Sequence, residues 1–478
     1  MTGHTANKPY GPLYRAVWRW HFYAGLVTAP FLLILAITGA IYLFDDEIND
    51  LTYPHLRFVE AAGQPMPLSH MMAAAEAHLP GSVTTRVDTP ATADRSVQFF
   101  LSLPEGGSRR VFVDPYRATV LGDLDYNTTL IGFADRLHGS LLMGEAGDML
   151  VELMACWGAV LTITGLYLWF PSGPLRLRGF LWPRLTVGGR ALLRDLHGVI
   201  GFWTGLLILF LILTGLPWAT FWGNMLVGVM DVAGIGYPAS HRGYNAPTST
   251  LTAKQAVGEV LWTLEPSLMP ASTPISAPTP TPTPAPTGGG GHAHHHGGSA
   301  ALAGPVAGAI GIDRAAAIFA AQGLEWPYRL STPRGETGVY LAFTYPGQPQ
   351  GQRSLYLDQY SGAVLRDIRF ADYGWGAQAV ELGVQLHMGR YFGLANQLLM
   401  LLPCIGIVLL CITGPWMWWK RRPKGKLGVP VVPAPAKRRH LALITIGLAI
   451  IFPLAGASLL LVLLGERLLA GLIQRKAI

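Results

Sequence analysis

Apolar residues dominate five stretches of the chain, at residues 17–44, 149–170, 199–222, 394–419 and 441–464. Each is long enough to cross a bilayer as a helix, which takes about 20 residues. The first follows Lys8, Arg15 and Arg19 in the manner of a signal peptide, but it is too long and no small-x-small cleavage site precedes Asp45. It reads as an uncleaved span. Between the spans the pattern changes to short alternating runs broken by Gly, Pro and Asp. In 45–137, Ser69 is the expected cap of a helix running to about His78. Residues 97–103 and 110–113 have strand composition, 104–107 and 114–116 turn, and 119–121 resumes a strand. The stretch 223–386 repeats the plan. Asp313 is the expected cap of a helix over 314–322, strands follow at 339–345 and 354–357, and 363–366 resumes after a turn at 358–362. Residues 266–304, with Thr-Pro repeats and then Gly and His, have no means of forming a packed core and read as a disordered linker inside this second module.

The predicted fold class is therefore a membrane protein, mainly α: a bundle of five transmembrane helices, two duplicated two-helix units plus one, with two small external α+β modules. Composition agrees. Half of the residues are apolar and 13% are charged, against about a quarter charged in soluble proteins, which disfavours a cytosolic enzyme. Cys156, Cys404 and Cys411 all lie in apolar runs, so neither a disulfide framework nor a CxxC metal site is expected.

The net charge of +7 is a topology signal rather than a sign of nucleic acid. The loop 171–196 holds five Lys/Arg and one acid, and 420–440 holds eight Lys/Arg and none. Both belong in the cytoplasm by the positive-inside rule, and so does the N-terminus. The loop 45–137, with seven Lys/Arg and thirteen acids, belongs outside, as does 223–386. The expected order is a first span at 17–44, external module 45–137, second span 138–170, cytoplasmic loop 171–196, third span 197–222, external module 223–386, fourth span 387–419, basic loop 420–440 and fifth span 441–464. One feature fits poorly: parity puts the tail after residue 464 outside, yet it carries Arg467, Arg475 and Lys476.

Offsets between residues show that the chain is an internal duplication. His21 and His197 each precede a Gly by four residues (Gly25, Gly201) and a Thr-Gly pair by seventeen and eighteen (Thr38-Gly39, Thr214-Gly215). His138 and His387 each precede a Gly by six (Gly144, Gly393) and a Thr-Gly pair by twenty-six and twenty-seven (Thr164-Gly165, Thr413-Gly414). Each of the first four spans thus has one histidine near its entry end. Parity places His21 and His197 near the cytoplasmic face, and His138 and His387 near the external face. A lone interfacial histidine is ordinarily only a polar residue at the membrane surface. Two per level on different helices suit an iron porphyrin, whose metal takes imidazole above and below the ring. Gly25 and Gly201, four residues on, are expected to let the flat macrocycle approach the backbone, and Gly39 and Gly215 return to that same face after five turns. Geometry sets one difficulty. His138 lies 31 residues before Trp169, about 46 Å along a continuous helix, against a hydrocarbon core of about 30 Å. Trp18, Trp20, Trp157 and Trp203 are candidates to line the gap between two haems, although membrane aromatics are ordinarily anchors.

These motifs resemble the PepSY-associated transmembrane proteins, often described as iron-regulated membrane proteins. The residues that carry the resemblance are Arg19-Trp20-His21 with Gly25 and Thr38-Gly39, Leu137-His138-Gly139, Arg194-Asp195-Leu196-His197-Gly198 and Leu386-His387. Val111-Phe112-Val113-Asp114-Pro115 and Leu355-Tyr356-Leu357-Asp358 add the strand-turn of PepSY modules. Some members are bacterial inner-membrane ferric-siderophore reductases. The resemblance implies two b-type haems and an external site where ferric chelates are reduced. No Walker A loop, strand-linked GxGxxG or GxSxG occurs. Electrons are therefore expected from a partner, a quinol or a cytoplasmic reductase. The competing class is a membrane-anchored PepSY module that binds peptides or restrains a protease without redox chemistry. Outside the duplicated set, His292, His294, His295 and His296 form either a weak metal sink or a spacer. His55, His70, His78 and His241 are expected at the surface. Glu145, Asp148 and Glu152 either tune a nearby haem or mark a wet helix end.

Overall fold

The computed structural model describes residues 11–171, 177–237, 248–258, 260–274, 306–423 and 438–476. The tract with His292 to His296, and His241, lie outside them. In chain order the main helices and strands are α1 (Pro12–Tyr42), α2 (Asp45–Thr52), α3 (Pro54–Arg57), α4 (Leu68–His78), β1 (Val83–Asp88), β2 (Val97–Ser102), β3 (Ser108–Val113), β4 (Val120–Leu124), α5 (Leu130–Ser140), α6 (Gly144–Trp169), α7 (Gly189–Gly215) and α8 (Thr220–Ala233). There follow β5 (Thr248–Thr252), α9 (Ala253–Val257), β6 (Leu268–Pro270), α10 (Ile312–Ala321), β7 (Arg329–Ser331), β8 (Val339–Phe343), β9 (Arg353–Asp358), β10 (Val364–Arg369), α11 (Trp375–His387), α12 (Leu394–Arg421), α13 (Arg438–Ile451) and α14 (Pro453–Lys476). They divide into a helical unit, built from residues up to 40, 137–223 and 398 onward, and a mixed unit, built from 41–136 and 224–397.

Among the described residues four helices of the helical unit are long and apolar enough to cross a membrane: α1, α6, α7 with the turn after it, and α12. This is a multi-pass membrane protein. Leu206, Leu213, Ile163, Leu402 and Ile405 point outward without protein cover, which only lipid tolerates in such number. Small residues set the crossings. Gly158 of α6 takes Leu32 of α1 and Ile212 of α7 against its backbone, and Gly406 of α12 takes Thr204 of α7. Phe22 of α1 meets Trp418 of α12 with ring centroids 6.2 Å apart, and Arg421 covers Trp18 at 4.4 Å. The registers are antiparallel at every contact, so α1, α6, α7 and α12 close a ring in which α1 and α7 sit on one diagonal.

The fifth span differs from expectation. It is two helices, α13 and α14, broken before Pro453, whose missing N–H cannot continue the ladder. A side chain at Gly456 would stand 2.4 Å from the Cα of Ala449, so the chain doubles back at this point. Phe452 and Ala455 at the bend pack with Cys156, Ala159, Leu216 and Ala219.

The second span also differs. His138 ends α5, and the crossing helix α6 begins at Gly144 after a bend in which Leu141, Leu142 and Gly144 have positive φ (49°, 60° and 62°). His387 ends α11 in the same way, and α12 begins after Gly393 at φ 58°. The six-residue His-to-Gly offset is the signature of these breaks. The length problem posed by one continuous 138–169 helix disappears with them.

In the mixed unit one eight-stranded antiparallel sheet runs β10-β9-β8-β7-β1-β2-β3-β4. The two repeats meet at β1–β7, with Arg86 opposite Ser331, Val87 opposite Leu330 and Asp88 opposite Arg329. Alternation in β2 (Val97, Phe99, Leu101) and the inward stripes of α4 (Leu68, Met71, Ala75) and α10 (Ile312, Ala315, Phe319) make a single core shared by both modules. Burying each of the larger side chains contributes roughly 1.5–3 kcal/mol. The expected caps are exchanged. α4 starts after Pro67, and it is Asp313 of α10 that accepts from the Ser69 N–H (3.0 Å) and hydroxyl. The expected linker 266–304 begins later than composition suggests. Leu268–Pro270 pairs with β5, Met269 and Ala271 are buried, and the N–H of Ser272 and of Thr273 are bound by Thr337 and Asp358. Residues 275–305 lie outside the described residues.

Candidate functional site

Three of the four histidines belong to the helical unit, and each is seated on the Thr-Gly pair of another helix. His21 projects from α1, and its Nδ1 lies 2.9 Å from the Thr164 hydroxyl of α6. Beside that threonine, a side chain at Gly165 would stand 3.1 Å from the His21 ring. His197 projects from α7 with Nδ1 2.9 Å from Thr413 of α12, and Gly414 leaves room for its ring. His138, at the end of α5, turns Nδ1 to Thr38 of α1 at 3.1 Å and to the Leu35 carbonyl at 3.0 Å, over Gly39. The fourth histidine, His387, ends α11 in the mixed unit. The Leu386 carbonyl before it accepts from the Asn396 amide at 2.9 Å, and the side chain of Gln385 is fully buried.

The threonines decide which ring nitrogen is available. A hydroxyl has one proton. That of Thr164 goes to the Val160 carbonyl at 2.7 Å, that of Thr413 to Leu409 at 2.7 Å and that of Thr38 to Ile34 at 2.7 Å. Each threonine oxygen can therefore only accept from its histidine, so Nδ1 carries the proton and donates. The Leu35 carbonyl, which has no proton, enforces the same state at His138. Nε2 is left as a lone-pair donor in all three rings. Thr214 has its proton committed in the same manner, to Phe210 at 2.7 Å.

His21 and His197 sit at matching positions of the two repeats, on α1 and α7. Among the described residues no three His, Cys, Asp or Glu side chains converge as a bare ion requires. A haem asks for less, because the porphyrin supplies four nitrogens and the protein two. Neutral imidazoles whose Nδ1 carries the proton are the right type of donor for it.

The sequence reading located these histidines and the Thr-Gly pairs and gave Gly39 to the macrocycle face, whereas Gly39 abuts the His138 ring; Gly165 and Gly414, read only as marks of the duplication, abut the rings of His21 and His197. The partner threonines were visible only as markers of the duplication, because nothing along the chain says which helix lies beside which. Gly25 and Gly201 meet leucines at 3.7 Å, an ordinary contact.

Other candidates have structural tasks. Asp148 and Glu152 of α6 are buried and cap α8. Asp148 accepts from the Thr220 N–H (2.9 Å) and hydroxyl, and Glu152 from the N–H of Phe221 (3.0 Å) and Trp222 (3.3 Å). Glu145 is exposed. Trp157 donates to Ser458 of α14 at 2.9 Å, and Trp203 to the Leu181 carbonyl at 3.0 Å. His55, His70 and His78 are exposed, and His78 pairs with Asp123 at 3.1 Å. In the mixed unit a small cleft is lined by Tyr53, Gln98, Arg110 and Tyr126. Arg110 lies over the ring of Tyr126 at 4.1 Å and of Phe100 at 4.9 Å.

In comparison with known families, the PepSY-associated TM region matches residues 18–421. A comparison with curated proteins gave no match.

Proposed function

We propose, for a chain that belongs to the PepSY-associated transmembrane family, that the helical ring carries electrons across the bacterial inner membrane on two b-type haems. His21 and His197 hold one. His138 and His387 hold the other, a pairing that follows from the duplication. Haem held there by imidazoles would supply one-electron exchange between ferric and ferrous iron. The observation that carries this reading is the set of three imidazoles, each with Nδ1 held by a threonine of another helix.

The basic loops place the N-terminus and the His21/His197 level on the cytoplasmic side and both modules in the periplasm. A membrane quinol or a cytoplasmic reductase would supply electrons on the side of His21 and His197, and a chelated ferric ion on the side of His138 and His387 would take one electron to become ferrous. A quinol, which yields two electrons and two protons, serves two such ions. Hard oxygen donors hold ferrous iron more weakly, so reduction loosens the chelate.

Purified protein reduced with dithionite is expected to show a b-type spectrum with two haems per chain. His138→Ala is expected to remove one and His21→Ala the other. A colourless preparation from haem-replete cells overturns the reading and leaves a peptide-binding membrane module in its place.

A further inference from the structure

The outward stripe of α12 can be followed to its end. Leu402, Ile405, Leu409, Ile412, Trp416 and Trp419 are all exposed, and steps of three and four residues keep them on one side of the helix. The last two are indoles, and each has a cation laid on it. Lys420 lies over the Trp416 ring at 5.4 Å and Arg422 over the Trp419 ring at 3.4 Å. Between them Arg421 lies over Trp18 of α1 at 4.4 Å, and on α1 itself Arg19 lies over the exposed ring of Tyr23 at 5.6 Å. Among the described residues no carboxylate pairs with Lys420 or Arg422. Asp195, near the start of α7, is held by Arg184 at 2.7 Å and Arg194 at 3.1 Å.

We propose that this end of α1 and α12 seats the headgroup of an anionic phospholipid. Arg422 offers a planar fork that matches phosphate oxygens, and Lys420 adds a point charge. The acyl chains follow the stripe from Trp419 back to Leu402. Indoles favour the same depth, because one edge is apolar and the other can hydrogen-bond. Two simpler accounts fall short. A helix C-terminus favours positive charge whatever lies beneath it, and the positive-inside bias asks only for charge in the loop. Neither puts the cations over the outward-facing rings. A long cation at the end of a span ordinarily reaches away from lipid toward water. Lys420 and Arg422 instead fold back by four and three residues, toward the lipid side. An anion at headgroup level gives them a reason to do so, whereas an acidic soluble partner would be met from the loop. The seat requires only that α12 crosses a bilayer, so its failure leaves the haem proposal untouched, and the reverse.

The test is lipid retention by the full chain in detergent, read by native mass spectrometry with phosphatidylglycerol and phosphatidylcholine of equal chain length. The wild type is expected to retain phosphatidylglycerol in preference. Arg422→Gln is expected to weaken that lipid about fivefold, and Lys420→Gln with Arg422→Gln about twenty-fivefold, with phosphatidylcholine unchanged. Trp416→Leu with Trp419→Leu keeps every charge but removes the rings on which two of them lie, and should also weaken phosphatidylglycerol. Arg109→Gln, which removes an equal charge from the mixed unit, should change neither lipid. Equal retention of the two lipids by the wild type overturns the proposal and leaves this face to an acidic soluble partner. An Arg109→Gln effect as large as that of Arg422→Gln also overturns it, because net charge alone would then be at work. If the double glutamine variant does not insert, Lys420→Gln and Arg422→Gln decide singly, and no loss of phosphatidylglycerol in either overturns it.

Discussion

Glu381 of α11 is wholly enclosed, and its two oxygens accept from the Thr263 N–H (3.0 Å) and hydroxyl (2.8 Å) and from the Gln352 amide (3.0 Å). Burial outweighs these bonds and raises its pKa above the ordinary glutamate value. A raised carboxyl contributes stability that is fully present below the unfolded pKa and lost as pH rises through the folded one. Asp358 behaves oppositely. Burial alone would raise it, but the N–H groups of Ser361, Thr273 and Tyr360 hold it below its usual value, so its contribution is lost on acidification. Unfolding of the full chain in detergent, followed across pH, is expected to show Glu381→Gln gaining on the wild type as pH rises. A constant difference between the two would refute the assignment. In the helical unit, Gly165→Val puts a branched side chain where a Cβ alone would stand 3.1 Å from the His21 ring. It should cost one haem per chain, whereas Gly25→Ala, with a leucine at 3.7 Å, should keep both.

Among the elements, the crossed cap and the Pro453 bend carry the clearest consequences. Asp313 caps α4 of the other module, so Asp313→Ala should destabilise the mixed unit by about 0.5–2 kcal/mol, the range for a lost helix cap. Ser69→Ala should add little on top, because both changes remove one interaction; a double-mutant cycle reads this. The doubled-back α13–α14 pair returns the chain to the side on which α13 starts. A reporter fused after Lys476 is expected on the same membrane side as one inserted at 424–437. Opposite sides would mean a continuous fifth span. A return to the basic side also accounts for Arg467, Arg475 and Lys476, which parity with five straight spans leaves on the wrong face. Strands with clear strand composition, β2, β3, β8 and β9, were legible along the chain. β1 and β7 were not. β1 reads Val-Thr-Thr-Arg-Val-Asp and β7 is three residues long, so their stability comes from partners far away in sequence.

For the whole molecule, that hidden pair decides the architecture. β1 and β7 join two modules into one sheet over one core, so damage at the joint reaches both. Leu330, fully buried beside Val87, is the sharpest probe. Leu330→Ala should cost about 2–5 kcal/mol and should lower the melting of both modules together. Two separate transitions would show that they fold independently. The sequence by itself determined the membrane class, the duplication, the four histidines and the α+β character of the modules, because hydropathy, charge bias and residue offsets are properties of the chain alone. Only the tertiary structure decided which threonine His21, His138 and His197 lean on, which of their ring nitrogens carries the proton, and that two modules share a sheet. Those outcomes depend on distances between segments one hundred to two hundred and fifty residues apart, which local periodicity does not encode.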